Sequence, residues 1–246
     1  MAGSRRPFAF GRGLMLEHGM ANEQRGFFGR RKGHPLRGRQ TQLFSSLLPR
    51  LALDLSAPAP NDLAALFPMP VDDVRLEIGF GSAEHLIAQA QAYPRAGFIG
   101  CEPFVNGMAK ALVAIDDLAL RNIRLHHGDA VELLAWLPPH TLSRVDLLYP
   151  DPWPKRRHWK RRFVNEINVA ALARLLRPAG EFRFATDWPN YAEWTLLRFL
   201  RSGEFSWTAE RADDWREPWS GFSGTRYESK AVREGRAPTY LVFRKD

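Results

Sequence analysis

Tyr149-Pro150-Asp151-Pro152-Trp153-Pro154 runs directly into a basic octet, Lys155 to Arg162, with six Lys/Arg in eight positions. Prolines on both sides fix the backbone around Asp151, and the segment before it, Val145-Asp146-Leu147-Leu148-Tyr149, reads as a buried strand. A rigidly held carboxylate beside enough cations to bind phosphates points to an enzyme acting on nucleic acid. As alternatives, Asp151 could cap a turn, and the octet could be a solvated face. Trp153 and Trp159 are available to pack or stack within that basic run.

A second cluster lies earlier. Leu76-Glu77-Ile78-Gly79-Phe80-Gly81-Ser82-Ala83 reads as a strand that breaks into a glycine turn opening a helix. Gly79 and Gly81 let backbone approach a ligand without a Cβ in the way. A dinucleotide fingerprint requires a third glycine where this chain has Glu84, and an acid at that helix start would repel a pyrophosphate. Glu102 follows the next strand, where a carboxylate can accept from ribose hydroxyls. Asp129, in His127-Gly128-Asp129-Ala130, suits either a cofactor contact or a helix N-cap. S-adenosylmethionine satisfies these groups together: it has ribose hydroxyls and an adenine amino group but no phosphate. Asp187, in Ala185-Thr186-Asp187-Trp188, repeats the order of carboxylate then aromatic and is also a candidate helix cap.

These residues need a scaffold that brings strand ends together. Strands are expected at Val74–Ile78, Gly97–Cys101, Asn122–His127, Arg144–Tyr149 and Glu181–Ala185. Helices are expected at Ser82–Tyr93, Phe104–Leu118, Ala130–Trp136, Phe163–Leu176 and Tyr191–Arg201, with a turn over Arg177–Gly180. Two further strands are expected near Phe205–Ala209 and Thr239–Arg244. Such alternation implies an α/β fold, a doubly wound, mostly parallel seven-stranded sheet, whose ligands gather at the carboxyl ends of the strands. Ahead of this domain, residues 1–40 read as an extended basic arm, residues 41–55 contain a short helix ending near Pro49, and a Pro-rich stretch leads to Val71.

The totals agree. The chain has 246 residues, net charge +8 and pI near 10. Residues 1–50 hold ten Lys/Arg against two acids, so the remainder balances to zero. That asymmetry favours a polyanionic partner. A single cysteine, Cys101, excludes an internal disulfide and a multi-thiolate metal site, and His126-His127 lacks a third ligand, so no metal is expected. The first residues lack a signal-peptide pattern, and a cytoplasmic location is expected. The sequence leaves monomer and homodimer equally open.

With LEIGFG, CEP, HGDA, LYPDPWPK, ATDW and the later Gly224-Thr225-Arg226-Tyr227-Glu228, the chain resembles the bacterial tRNA (guanine-N7)-methyltransferase family from about residue 26 onward, including the arm segment GFFGRRKG. Ser82-Ala83 departs from it, since relatives often have another glycine there. The resemblance implies methyl transfer from S-adenosylmethionine to N7 of the guanine at position 46 in the tRNA variable loop. It implies cofactor contacts at Glu77, Gly79, Gly81, Glu102, Asp129 and Asp151, with Asp151 catalytic. It implies tRNA contacts at Lys155, Asp187, Thr225, Arg226, Tyr227 and Glu228. Competing expectations are a methyltransferase for another RNA, a non-catalytic RNA-binding protein on the same scaffold, and a dinucleotide oxidoreductase.

Overall fold

Short apolar segments form the strands of the sheet, and longer stretches between them form helices. The computed structural model describes residues 28–29 and 31–246. Most of the arm, residues 1–27 and 30, lies outside the described residues. Two short helices, α1 (Gly38–Ser46) and α2 (Leu48–Leu51), come first. Pro49 therefore does not end a helix as expected; it sits in the first turn of α2, where its missing N–H costs nothing.

The sheet then builds in order: β1 (Asp73–Ile78), α3 (Glu84–Ala92), β2 (Ala96–Cys101), α4 (Val105–Asp117), β3 (Ile123–His126), α5 (Ala130–Trp136) and β4 (Leu142–Leu148). It continues with α6 (Glu166–Leu175), β5 (Leu176–Thr186), α7 (Pro189–Ser202), β6 (Phe205–Trp207), α8 (Asp213–Arg216), α9 (Arg226–Arg233) and β7 (Thr239–Lys245). Strand order is β3-β2-β1-β4-β5-β7-β6, parallel through β5 and antiparallel at both pairings of β7.

Several boundaries differ from expectation, three of them for a plain local reason. Helix α3 starts two residues late because Ala83 takes a left-handed φ of 67°, which ends the glycine turn. Helix α6 starts three residues late, where Asn165 caps it by accepting from Asn168 N at 3.0 Å. The expected Arg177–Gly180 turn is instead a bulge within β5, since Leu176 pairs with Leu142 and Glu181 with Arg144. Helix α9 was not expected at all.

Apolar side chains pack on both sheet faces. Phe98 joins a cluster with α1, α3 and α4, while its neighbour Ile99 joins one with α5, α6 and α7. That is the alternation a strand imposes. The strand order reverses between β1 and β4, so the crevice at their carboxyl ends is where a ligand is expected. Gly79 and Tyr149 are the first residues past those two strands.

Candidate active site at the carboxyl edge of the sheet

The glycine turn forms one wall of this crevice. Gly79 and Gly81 have φ of +71° and +57°, a region costly for any residue with a Cβ. A Cβ on Gly79 would meet nothing within 4 Å, so the space over this turn is open. Behind the turn, Gly107 in the first turn of α4 allows close contact: its Cβ would lie 2.2 Å from the Gly81 carbonyl oxygen. In front, a Cβ on Gly81 would lie 3.1 Å from the Tyr227 ring.

Two acids lie against this turn. Glu102, just past β2 and only 6% exposed, accepts from Gly81 N at 2.7 Å and from Phe104 N at 2.9 Å. Burial pushes its pKa up to about 7; the two backbone donors oppose that rise, and the charges of Asp151 and Glu77 add to it. Glu77, near the end of β1, is buried and binds His85 Nδ1 at 2.8 Å. Burial alone would lower the His85 pKa, but the Glu77 charge and hydrogen bond outweigh it and the net shift is upward. Cys101 lies buried beneath, its thiol 3.6 Å from the Gly128 carbonyl and its pKa well raised by burial and by Glu102 and Asp129.

Asp151 forms the opposite wall. Both aromatics flanking its Pro-Asp-Pro segment are left-handed, with φ of 49° at Tyr149 and 44° at Trp153. Each such residue costs about 1–3 kcal/mol and persists only where the surroundings hold it. Arg162 supplies the hold. It is buried, donates from Nε to Pro152 O and from Nη2 to Asn190 Oδ1, both at 2.9 Å, and lies against the rings of Trp159, Tyr191 and Trp194. The Asp151 carboxylate reaches solvent at the mouth, yet the protein around it raises its pKa. Its charge acts on Glu102 and Tyr227, so these groups lie near one another at the strand ends.

The basic octet divides in two, which corrects its reading as one phosphate-binding run. Arg156–Arg161 forms a 3-10 turn, leaving Lys155, Arg156, Arg157 and Lys160 exposed. Arg161 lies over the Trp153 and Phe28 rings at 4.9 and 5.2 Å, and Arg162 turns inward.

The remaining expected residues lie around this centre. Asp129 accepts from Val131 N at 3.0 Å and caps α5 beyond β3. Asp187, past β5, pairs with Arg236 Nε at 2.6 Å. Thr225 and Glu228 form a capping box at the start of α9, with Glu228 N 3.1 Å from Thr225 Oγ1, and Glu228 also accepts from Tyr240 Oη. Arg226 and Tyr227 thereby reach the glycine turn, Arg226 donating to Ser82 Oγ at 2.9 Å. Sequence reasoning missed Gly107, Arg162 as a brace, Arg236 and Tyr240. Among them only Gly107, a glycine in a helical stretch, carried a usable signal.

The donor set fits S-adenosylmethionine: an open glycine cradle at Gly79, a buried acceptor at Glu102 for hydroxyls, and a second acceptor at Asp129. Among the described residues no group of three or more His, Cys, Asp or Glu is placed to hold a metal. No described helix is long and apolar enough to cross a membrane.

Comparison with known proteins bears on the family and the fold. Residues 72–241 match the family model described as "Putative methyltransferase". A tRNA (guanine-N(7)-)-methyltransferase of Rhodopseudomonas palustris (strain BisB5) is 61% identical over 91% of this chain and 88% of its own. One of Bradyrhizobium diazoefficiens is 58% identical over 91% of this chain and 95% of its own. Among solved structures, TrmN from Thermus thermophilus shares the fold, with a TM-score of 0.50 and 16% identity over 75% of this chain and 48% of that one. The chain belongs to the family of tRNA (guanine-N7)-methyltransferases.

Proposed function

We propose that this protein methylates N7 of a guanine in tRNA with S-adenosylmethionine, that the target is the guanine at position 46 of the variable loop, and that it acts in the cytoplasm as a monomer or homodimer. The observation that carries the reading is the pairing of two walls across the strand-order reversal. A glycine turn with a buried hydroxyl acceptor, Glu102, stands on one side, and a braced carboxylate, Asp151, on the other. S-adenosylmethionine, when bound, supplies an electrophilic methyl group.

The chain's own residues then have simple tasks. Guanine N7 is an unprotonated lone pair, so no general base is needed. Asp151 accepts from the guanine N1–H and exocyclic amine, which fixes the ring plane and the direction of N7. Its negative charge also offsets the positive charge that develops on the purine. Glu102 holds ribose hydroxyls once they displace the Gly81 and Phe104 amides. Asp129 accepts from the adenine amine, and Glu77 anchors the strand end through His85. Lys155, Asp187 and Thr225 to Glu228 ring the mouth and contact the tRNA.

The test is methylation of an unmodified tRNA transcript followed by mapping of the modified atom. A single N7-methylguanine in the variable loop is expected; methyl on another atom, or only on another RNA, sinks the reading. Asp151→Asn should lower the single-turnover rate by roughly 10²–10³.

A further inference from the structure

Ser82 is a neutral hydroxyl approached by two cations. Lys110 Nζ lies 3.2 Å from Ser82 Oγ, and Arg226 Nη1 lies 2.9 Å from the same atom. The two charges therefore sit within roughly 6 Å of each other, a mutual repulsion in the absence of an anion. Among the described residues neither cation forms an ion pair with a carboxylate. Glu84 is near enough for its charge to reach Tyr227, yet it does not neutralise either one.

Three separate elements assemble this cluster: the β1–α3 turn, helix α4 and the start of α9. The groups line a cavity of about 240 Å³ together with His34, Asn106 and Tyr227. The chain before α1 closes it: Val105 N donates to Arg31 O at 3.0 Å, and Asn106 Nδ2 to His34 O at 2.8 Å. The cavity is thus built by tertiary contacts rather than left by a loose surface loop. Its chemistry is that of an anion site. The Arg226 guanidinium offers a fork, Lys110 offers a point charge, and Ser82 accepts from both while keeping its own O–H to donate.

We propose that Lys110, Arg226 and Ser82 hold one backbone phosphate of the bound tRNA. The inference rests on the tRNA-methylation reading above and extends it to a cavity that adjoins the crevice, since Gly81 and Gly107 line it as well. Tyr227 lines this cavity too, and its ring lies beside Gly81 of the glycine turn. A phosphate bound at Ser82 therefore sets the distance between the tRNA backbone and the methyl-transfer crevice.

The other anion within reach is the carboxylate of S-adenosylmethionine, and one experiment separates the two. The full chain and its Lys110→Ala and Lys110→Arg variants are titrated with unmodified tRNA across a salt series, and with S-adenosylmethionine by calorimetry. Lys110→Ala should flatten the slope of log Kd against log salt by about 0.7–0.9, the value for one phosphate. Lys110→Arg should restore the slope, and cofactor affinity should stay at the wild-type value in both. An unchanged slope in Lys110→Ala overturns the phosphate site, as does a loss confined to cofactor affinity. If the wild-type chain itself leaves tRNA unmethylated at N7, the functional reading fails first, which is a distinct result.

Discussion

Replacing Arg162 by Lys removes the hold on the Asp151 loop while keeping its charge. Lysine cannot reach both Pro152 O and Asn190 Oδ1, which Arg162 meets at 2.9 Å each, and cannot lie flat between rings 4.9, 4.7 and 5.0 Å away. Hydrogen bonds from a charged donor contribute about 1.5–3 kcal/mol each, and each ring contact about 0.5–1 kcal/mol. Part of that is offset, because Arg162 is 2% exposed and forms no ion pair among the described residues. The net loss should be about 2–4 kcal/mol, which for a chain of this size lowers Tm by roughly 4–16 °C. The two left-handed aromatics, Tyr149 and Trp153, then relax, since their strain is no longer opposed. A displacement of about 1 Å at Asp151 is enough to cost on the order of 100-fold in rate. Single-turnover methylation below the lowered Tm, beside calorimetry of cofactor binding, reads this directly. Affinity for S-adenosylmethionine should hold while the rate collapses. A destabilised Arg162→Lys protein that still methylates at the wild-type rate would refute the coupling between brace and carboxylate.

Three further outcomes follow from the same geometry. Gly107→Ala drives a Cβ to 2.2 Å from the Gly81 carbonyl, a backbone atom that cannot step aside cheaply; calorimetry should show weakened cofactor binding and melting a loss of about 1–3 kcal/mol. Glu102 is raised from 4.5 to about 7 by burial, so the folded chain holds this proton more tightly than the unfolded chain, and stability falls as pH rises across that window. That component, about 3 kcal/mol, should vanish from urea titrations of Glu102→Gln, and cofactor affinity should rise with pH only in the wild type. Replacing Arg5, Arg6, Arg12 and Arg25 by Ala should flatten the salt dependence of tRNA binding by up to about 3 if each meets a phosphate; an unaltered slope removes the arm from the interface.

The alternation of strands and helices was legible because glycine and proline punctuate it and apolar periodicity fills it. Strand-end positions followed, and with them Glu102, Asp129, Asp151 and Asp187. What escaped was set by distant partners. Arg236 lies 49 residues from Asp187, and nothing near either one announces the pair. Arg162 sits within a run of solvent-seeking cations and differs from its neighbours only through Tyr191, Trp194 and Asn190 on another helix. Helix α9 buries only Ala231, so it lacked an apolar stripe. Its start does carry a Thr-x-x-Glu pattern, Thr225 to Glu228, whose side chains cap the helix.

Cys101 has a practical consequence. It is the chain's one cysteine, it is buried, and its thiolate is disfavoured by burial and three neighbouring carboxylates. Thiol reagents will pass it by, because they need an accessible thiolate. A cysteine introduced at an exposed position such as Arg157 would then be the sole reactive sulfur, so a fluorophore could be attached there without first mutating the native residue.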